Sequence, residues 1–110
     1  MAEPTISPAA GWLRANAPEA PPALMDAMLA ALPADAHAPV ADALAAAAMR
    51  LYGDLRGGSG CREDALPLLA ADALLTHALQ AQAEDNADAL VAFCEQWGAS
   101  GTLAALVAAT

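Results

Sequence analysis

From residue 64 to residue 84 the chain reads DALPLLAADALLTHALQAQAE, its longest stretch of helical periodicity without an internal glycine. On a helix, Leu68, Ala71, Leu74, Leu75, Ala78 and Leu79 fall on one broad face, while Asp72, Thr76, His77, Gln80 and Glu84 gather on the other. A helix divided in this way needs other elements to cover its apolar side, so the remaining segments are expected to assemble around it.

Those segments also read as helices. Ser7 followed by Pro8 is an N-cap with proline at the first helical position, which predicts a short helix over residues 8–16 carrying Trp12 and Leu13 as anchors. Leu24, Met25, Met28, Leu29 and Leu32 form a stripe over residues 22–32, and Pro33 ends it. Over residues 39–56 the stripe is Val40, Leu44, Ala47, Ala48, Leu51 and Leu55, with Met49 and Tyr52 projecting away from it, either to cover a neighbouring element or to mark a modest contact surface. Gly53 weakens the last turn by about 1 kcal/mol relative to alanine, and Gly57 is placed to supply a left-handed cap. The GGSG run at residues 57–60 follows no strand and precedes no phosphate-loop lysine, so it is a helix connection. Asp64 is expected to cap the central helix, and Pro67 is tolerable because residues of the first turn donate no internal hydrogen bond. Asp85 and Asn86 interrupt the periodicity and offer the next N-cap, for a helix from Asn86 to about residue 97 on which Leu90, Phe93, Cys94 and Trp97 share a face, closed by Gly98. Ser100 then caps a last short helix with Leu103, Leu106 and Val107.

No segment shows sustained period-two alternation, so the expected fold is all-α, a small bundle of four to five helices around one alanine- and leucine-rich helix. A chain of 110 residues is expected to form a single domain over residues 1–110, with residues 1–21 a more loosely packed segment rich in proline and alanine. Much of the 58% hydrophobic content is alanine, a strong helix former that contributes little buried area per residue. With only four aromatic residues available, the helices are expected to approach closely across alanine-rich faces.

Four arginines, no lysine and thirteen carboxylates give a formal charge of −9, which repels a phosphate backbone and an anionic membrane surface. Nucleic acid is therefore not an expected partner. The start of the chain lacks the basic and continuously apolar regions of a signal peptide. The uncharged run over residues 96–110 is broken by two glycines and is shorter than the ~20 apolar residues of a membrane span. A cytoplasmic location is expected. Cys94 lies at helical spacing with Leu90 and Trp97, which predicts a small buried group, while Cys61 follows the glycine-rich connection. Neither a disulfide between them nor a zinc site with His37 and His77 is expected, because the sequence gives no secretory context and no paired ligand spacing.

The run LLAADALLTHALQ, residues 68–80, resembles the helix of trans-isoprenyl diphosphate synthases that reads leucine, then alanine-glycine-aspartate, then an apolar run such as ALLTLAF. Asp72, Ala73, Leu74, Leu75, Thr76 and Ala78 match in order, and Ala71 stands where that family has glycine. A further likeness, to the glycine-rich helix start that follows, lies at residues 95–105. Those synthases hold magnesium diphosphate through paired aspartate-rich motifs, and this chain contains no DDxxD-type run. The resemblance thus implies a noncatalytic fragment or accessory subunit; the alternative is convergence on a packed alanine–leucine helix.

No catalytic residues, cofactor or metal are assigned. The one polar constellation is Asp72, Thr76, His77 and Gln80, whose three- and four-residue spacings could orient a small polar ligand. Asp72 and His77 point about 140° apart around the helix and cannot form a local acid–base dyad. His77 is expected on the polar side. The function expected is that of a noncatalytic interaction or accessory module, with another protein or a second copy of the chain as partner. The alternative is a small-ligand binder or enzyme, or, as the resemblance implies, a degenerate isoprenyl-synthase-like subunit. An exposed apolar patch favours the first, and a closed pocket receiving Thr76, His77 and Gln80 the second.

Overall fold

The structure, a computed structural model, describes residues 7–34, 37–56, 62–98 and 101–108. They form six α-helical segments and no strand: α1 (Pro8–Asn16), α2 (Pro22–Ala31), α3 (Val40–Leu55), α4 (Ala65–Asn86), α5 (Leu90–Trp97) and α6 (Thr102–Ala108). Short 3-10 turns at Arg62–Asp64 and Ala87–Ala89 lead into α4 and α5. The molecule is the all-α bundle the periodicity predicts, with α4 at its centre.

Helix ends follow local chemistry. Ser7 is extended, and its hydroxyl accepts the Ala10 N–H at 3.2 Å ahead of Pro8. Leu32 leaves α2 with φ −62° and ψ 142°, the conformation that Pro33 imposes on the residue before it. Asn86 caps the turn before α5, its side-chain oxygen accepting the Asp88 N–H at 3.1 Å. Asp64 departs from expectation. It sits in the right-handed region and makes no side-chain cap bond, because the 3-10 turn before α4 leaves it without the extended backbone that aims an N-cap side chain at the helix amides.

The core is mostly alanine. Among the described residues, twelve of the eighteen buried hydrophobic side chains are alanines, so the helices must lie close to enclose much apolar surface. The principal seam joins α3 and α4. Ala41, Leu44, Ala45 and Ala48 of α3 are buried at helical spacing, as are Ala70, Ala71, Leu74, Ala78 and Ala81 of α4. Val40 and Ala41 share a cleft with Ala81 and Gln82, whereas Tyr52 reaches Asp72, so the two helices run antiparallel.

Leu13, Met28, Leu44 and Leu74 are the large side chains wholly enclosed. Leu13 belongs to the segment read from sequence as loosely packed. From Ser7 onward that segment is anchored, with Ala9, Leu13 and Ala17 all buried. Met49 is buried and Tyr52 packs against the core, so both cover neighbouring elements. Gly57, the GGSG connection, Cys61 and Ser100, with the expectations placed on them, lie outside the described residues.

Candidate interaction surface

The central helix buries part of the face its periodicity suggests, with Ala71, Leu74 and Ala78 enclosed and Leu68 and Leu79 left outside. Leu74 is enclosed, but Leu68 is 47% exposed and Leu79 37%, and Leu66 and Leu69 are likewise exposed. Ala70 and Ala81, absent from the expected stripe, are buried instead. The reason is steric: α3 presents alanines, and alanines on α4 allow the axes to approach where leucines would hold them apart. The leucines are thereby rotated toward the edge of the seam.

Leu68, Leu75 and Leu79 are seven and four residues apart and form a second stripe along α4. α5 packs against α4 but spans eight residues, about 12 Å, beside a helix of 22 residues, about 33 Å. It covers only part of that stripe. Where it does, Leu75, Leu79, Phe93, Cys94, Trp97 and Gly98 enclose an apolar groove of about 110 Å³. Phe93 is the buried residue of α5, and its ring lies 6.4 Å from that of Trp97. The Trp97 indole N–H donates to Asp42 Oδ1 at 3.4 Å, tying α5 to the first turn of α3. Cys94, expected to be buried, is a free thiol exposed on the groove wall, because α5 turns Phe93 rather than Cys94 into the core. Val91, one turn before Cys94, is 70% exposed. A second cleft, of about 350 Å³, lies between Trp12, the start of α3 and the Glu84–Asp85 end of α4.

The polar set on α4 is distributed differently. The Tyr52 hydroxyl donates to Asp72 Oδ1, and the Thr76 hydroxyl donates to the Asp72 carbonyl at 3.0 Å. His77 Nδ1 lies 3.4 Å from Gln80 Oε1, and Gln80 Nε2 donates to Glu84 Oε1 at 3.1 Å. These are pairs between successive turns of one helix plus a single bond to α3. His77 is half-buried rather than on an open polar face, because the Trp12 ring of α1 stands edge-on to it at 5.7 Å. Asp72 turns to α3 and His77 to α1, and none of Asp72, Thr76, His77 and Gln80 lines either cleft. Burial, with the hydrogen bond and the charge of Asp72, pushes the Tyr52 hydroxyl up to about 12 from 10.0.

Among the described residues no group of three or more His, Cys, Asp or Glu side chains is disposed to hold a metal ion. No helix among them is long and apolar enough to cross a membrane. The groove and the exposed leucines are what sequence reasoning missed. The available signal is the second stripe at Leu68, Leu75 and Leu79, which adjoins the alanine face and reads with it as one broad apolar side. Comparison with protein-family models, with curated proteins and with solved structures found no match.

Proposed function

We propose that the chain is a noncatalytic protein-interaction module that docks through the leucine stripe of α4 and the adjoining groove on α5. The observation that carries this reading is the exposure of Leu68 and Leu79 beside an apolar groove, on a helix whose alanine face already satisfies the core. Large apolar side chains grouped at a surface mark interaction sites more often than singly scattered ones do. The polar set supports a small-ligand site less well, because its members pair along the helix instead of converging on a cavity. Residues 68–80, which resemble the synthase helix, carry the same stripe, and outward leucines suit an accessory subunit that docks on a partner.

The test compares the wild-type chain with the Leu68→Ser/Leu79→Ser variant as bait in the source cells. The two side chains are partly solvated already, so the variant should keep the helical content and the melting transition of the wild type. It should lose the protein that the wild type retains. Retention of the same protein by both baits would overturn the reading.

A further inference from the structure

We propose that the occupant of this face is a cationic amphipathic helix of a partner protein; this rests on the docking reading above and adds the chemistry of the partner. The stripe from Leu68 to Leu79 covers eleven residues of rise, about 16 Å, the length of three helical turns. The groove beside it, at about 110 Å³, suits one leucine- or phenylalanine-sized anchor rather than a folded ligand. Shallow apolar stripes ending in an anchor pocket are how amphipathic helices are held, by side chains at i, i+3, i+4 and i+7.

Charge selects among possible helices. From residue 63 to residue 110 the chain has seven carboxylates and neither lysine nor arginine. Asp72, which accepts the Tyr52 hydroxyl, is exposed beside the stripe four residues after Leu68, and Asp88 and Glu95 are exposed before and on α5. Arg62, the basic residue nearest in sequence, precedes Leu68 by six residues at the far end from the groove. A helix laid on this surface therefore meets leucines flanked by carboxylates, and a partner with lysines or arginines beside its apolar stripe is complementary. A second copy is disfavoured, since it would bring together two chains of charge −9.

The probes are two labelled helical peptides of about five turns with identical leucine stripes, one with lysines and one with glutamates on the polar face. Binding to the full chain is followed by fluorescence anisotropy at low and high salt. In parallel, alkylation of Cys94 is followed by mass spectrometry after trypsin digestion. Cleavage at Arg56 and Arg62 places Cys61 in fragment 57–62 and Cys94 in fragment 63–110, so the two thiols report separately.

The proposal expects the lysine peptide to bind at least about tenfold more tightly than the glutamate peptide, and more weakly as salt rises. It expects bound peptide to slow alkylation of Cys94, and Leu68→Ser/Leu79→Ser to weaken binding by about tenfold or more. Equal binding to wild type and variant would show adhesion to a generally acidic surface and overturn the proposal. Equal binding of both peptides, lost in the variant, overturns the charge selection while leaving the docking face intact. Sedimentation equilibrium showing a dimer that the variant dissolves assigns the face to a second copy, and likewise overturns the cationic partner without touching the docking reading. Absence of binding by either peptide also overturns it, and the cellular comparison then judges the docking face alone.

Discussion

Tyr52 is the single tyrosine of the chain, so its ionisation can be followed by absorbance near 295 nm without interference from another phenol. Its hydroxyl donates to Asp72 and is pushed up to about 12, first by burial, then by the hydrogen bond, then by the carboxylate charge. Asp72→Asn keeps an acceptor oxygen and removes the charge, so the midpoint should fall while remaining above 10.0, since burial persists. Asp72→Ala removes the acceptor as well and should lower it further. The sign of the linked stability effect is fixed by the raised value. The unfolded chain releases the proton first, so the contribution is complete below pH 10 and is lost as pH rises toward 12. At face value two units correspond to about 2.7 kcal/mol, but the residue is only partly buried, and solvent screening reduces this to about 1 kcal/mol or less. The absence of lysine keeps that window clear of amine titrations. The assay is an absorbance titration of wild type and both variants, with circular dichroism at each pH to confirm that the helices persist. A wild-type midpoint at 10.0, or one unmoved by Asp72→Ala, would refute the coupling of α3 to α4 through this pair.

Two further predictions concern packing. Leu74→Ala, at a wholly enclosed site, should cost about 2–5 kcal/mol in a denaturant melt, whereas Leu68→Ala, at 47% exposure, should stay within about 0.5 kcal/mol. Equal losses would mean that the leucine stripe is part of the core. Gly53→Ala should stabilise the chain by about 0.5–1 kcal/mol, because an added Cβ meets the Leu106 side chain at an ordinary 3.8 Å within a helix. Gly101→Ala should destabilise by about 1 kcal/mol or more, since its Cβ would overlap the carbonyl oxygens of Glu95 and Gln96 at the corner before α6. Thermal melts of the two variants with opposite shifts are the expected result, and a destabilised Gly53→Ala would contradict the unstrained contact with Leu106 at that turn.

The helix ends that sequence reasoning located are those set by a few adjacent residues. Ser7 with Pro8, Leu32 before Pro33, and Asn86 before α5 each act through hydrogen bonds or steric limits spanning four residues or fewer. Asp64 failed as a cap because a 3-10 turn, invisible to a capping pattern, fixed its backbone first. The polar set was legible as a list of neighbours on one helix. Its outcome was not, since whether His77 meets solvent or Trp12 depends on where α1 lies.

Sequence by itself determined the all-α class, the caps at Ser7 and Asn86 and a strongly acidic charge without lysine, because propensity, capping and charge are properties of residues and their near neighbours. The face that α4 buries was decided only by the tertiary structure. Periodicity gives each side chain an azimuth, and on α4 it yields two adjoining apolar stripes roughly 110° apart, one of Leu74 with alanines and one of Leu68, Leu75 and Leu79, without saying which of them a neighbour will cover. The ranking comes from the partner. Alanines on α3 meet alanines on α4 at the closest approach of the two axes, which encloses Ala70, Ala78 and Ala81 and leaves Leu68 and Leu79 at the surface.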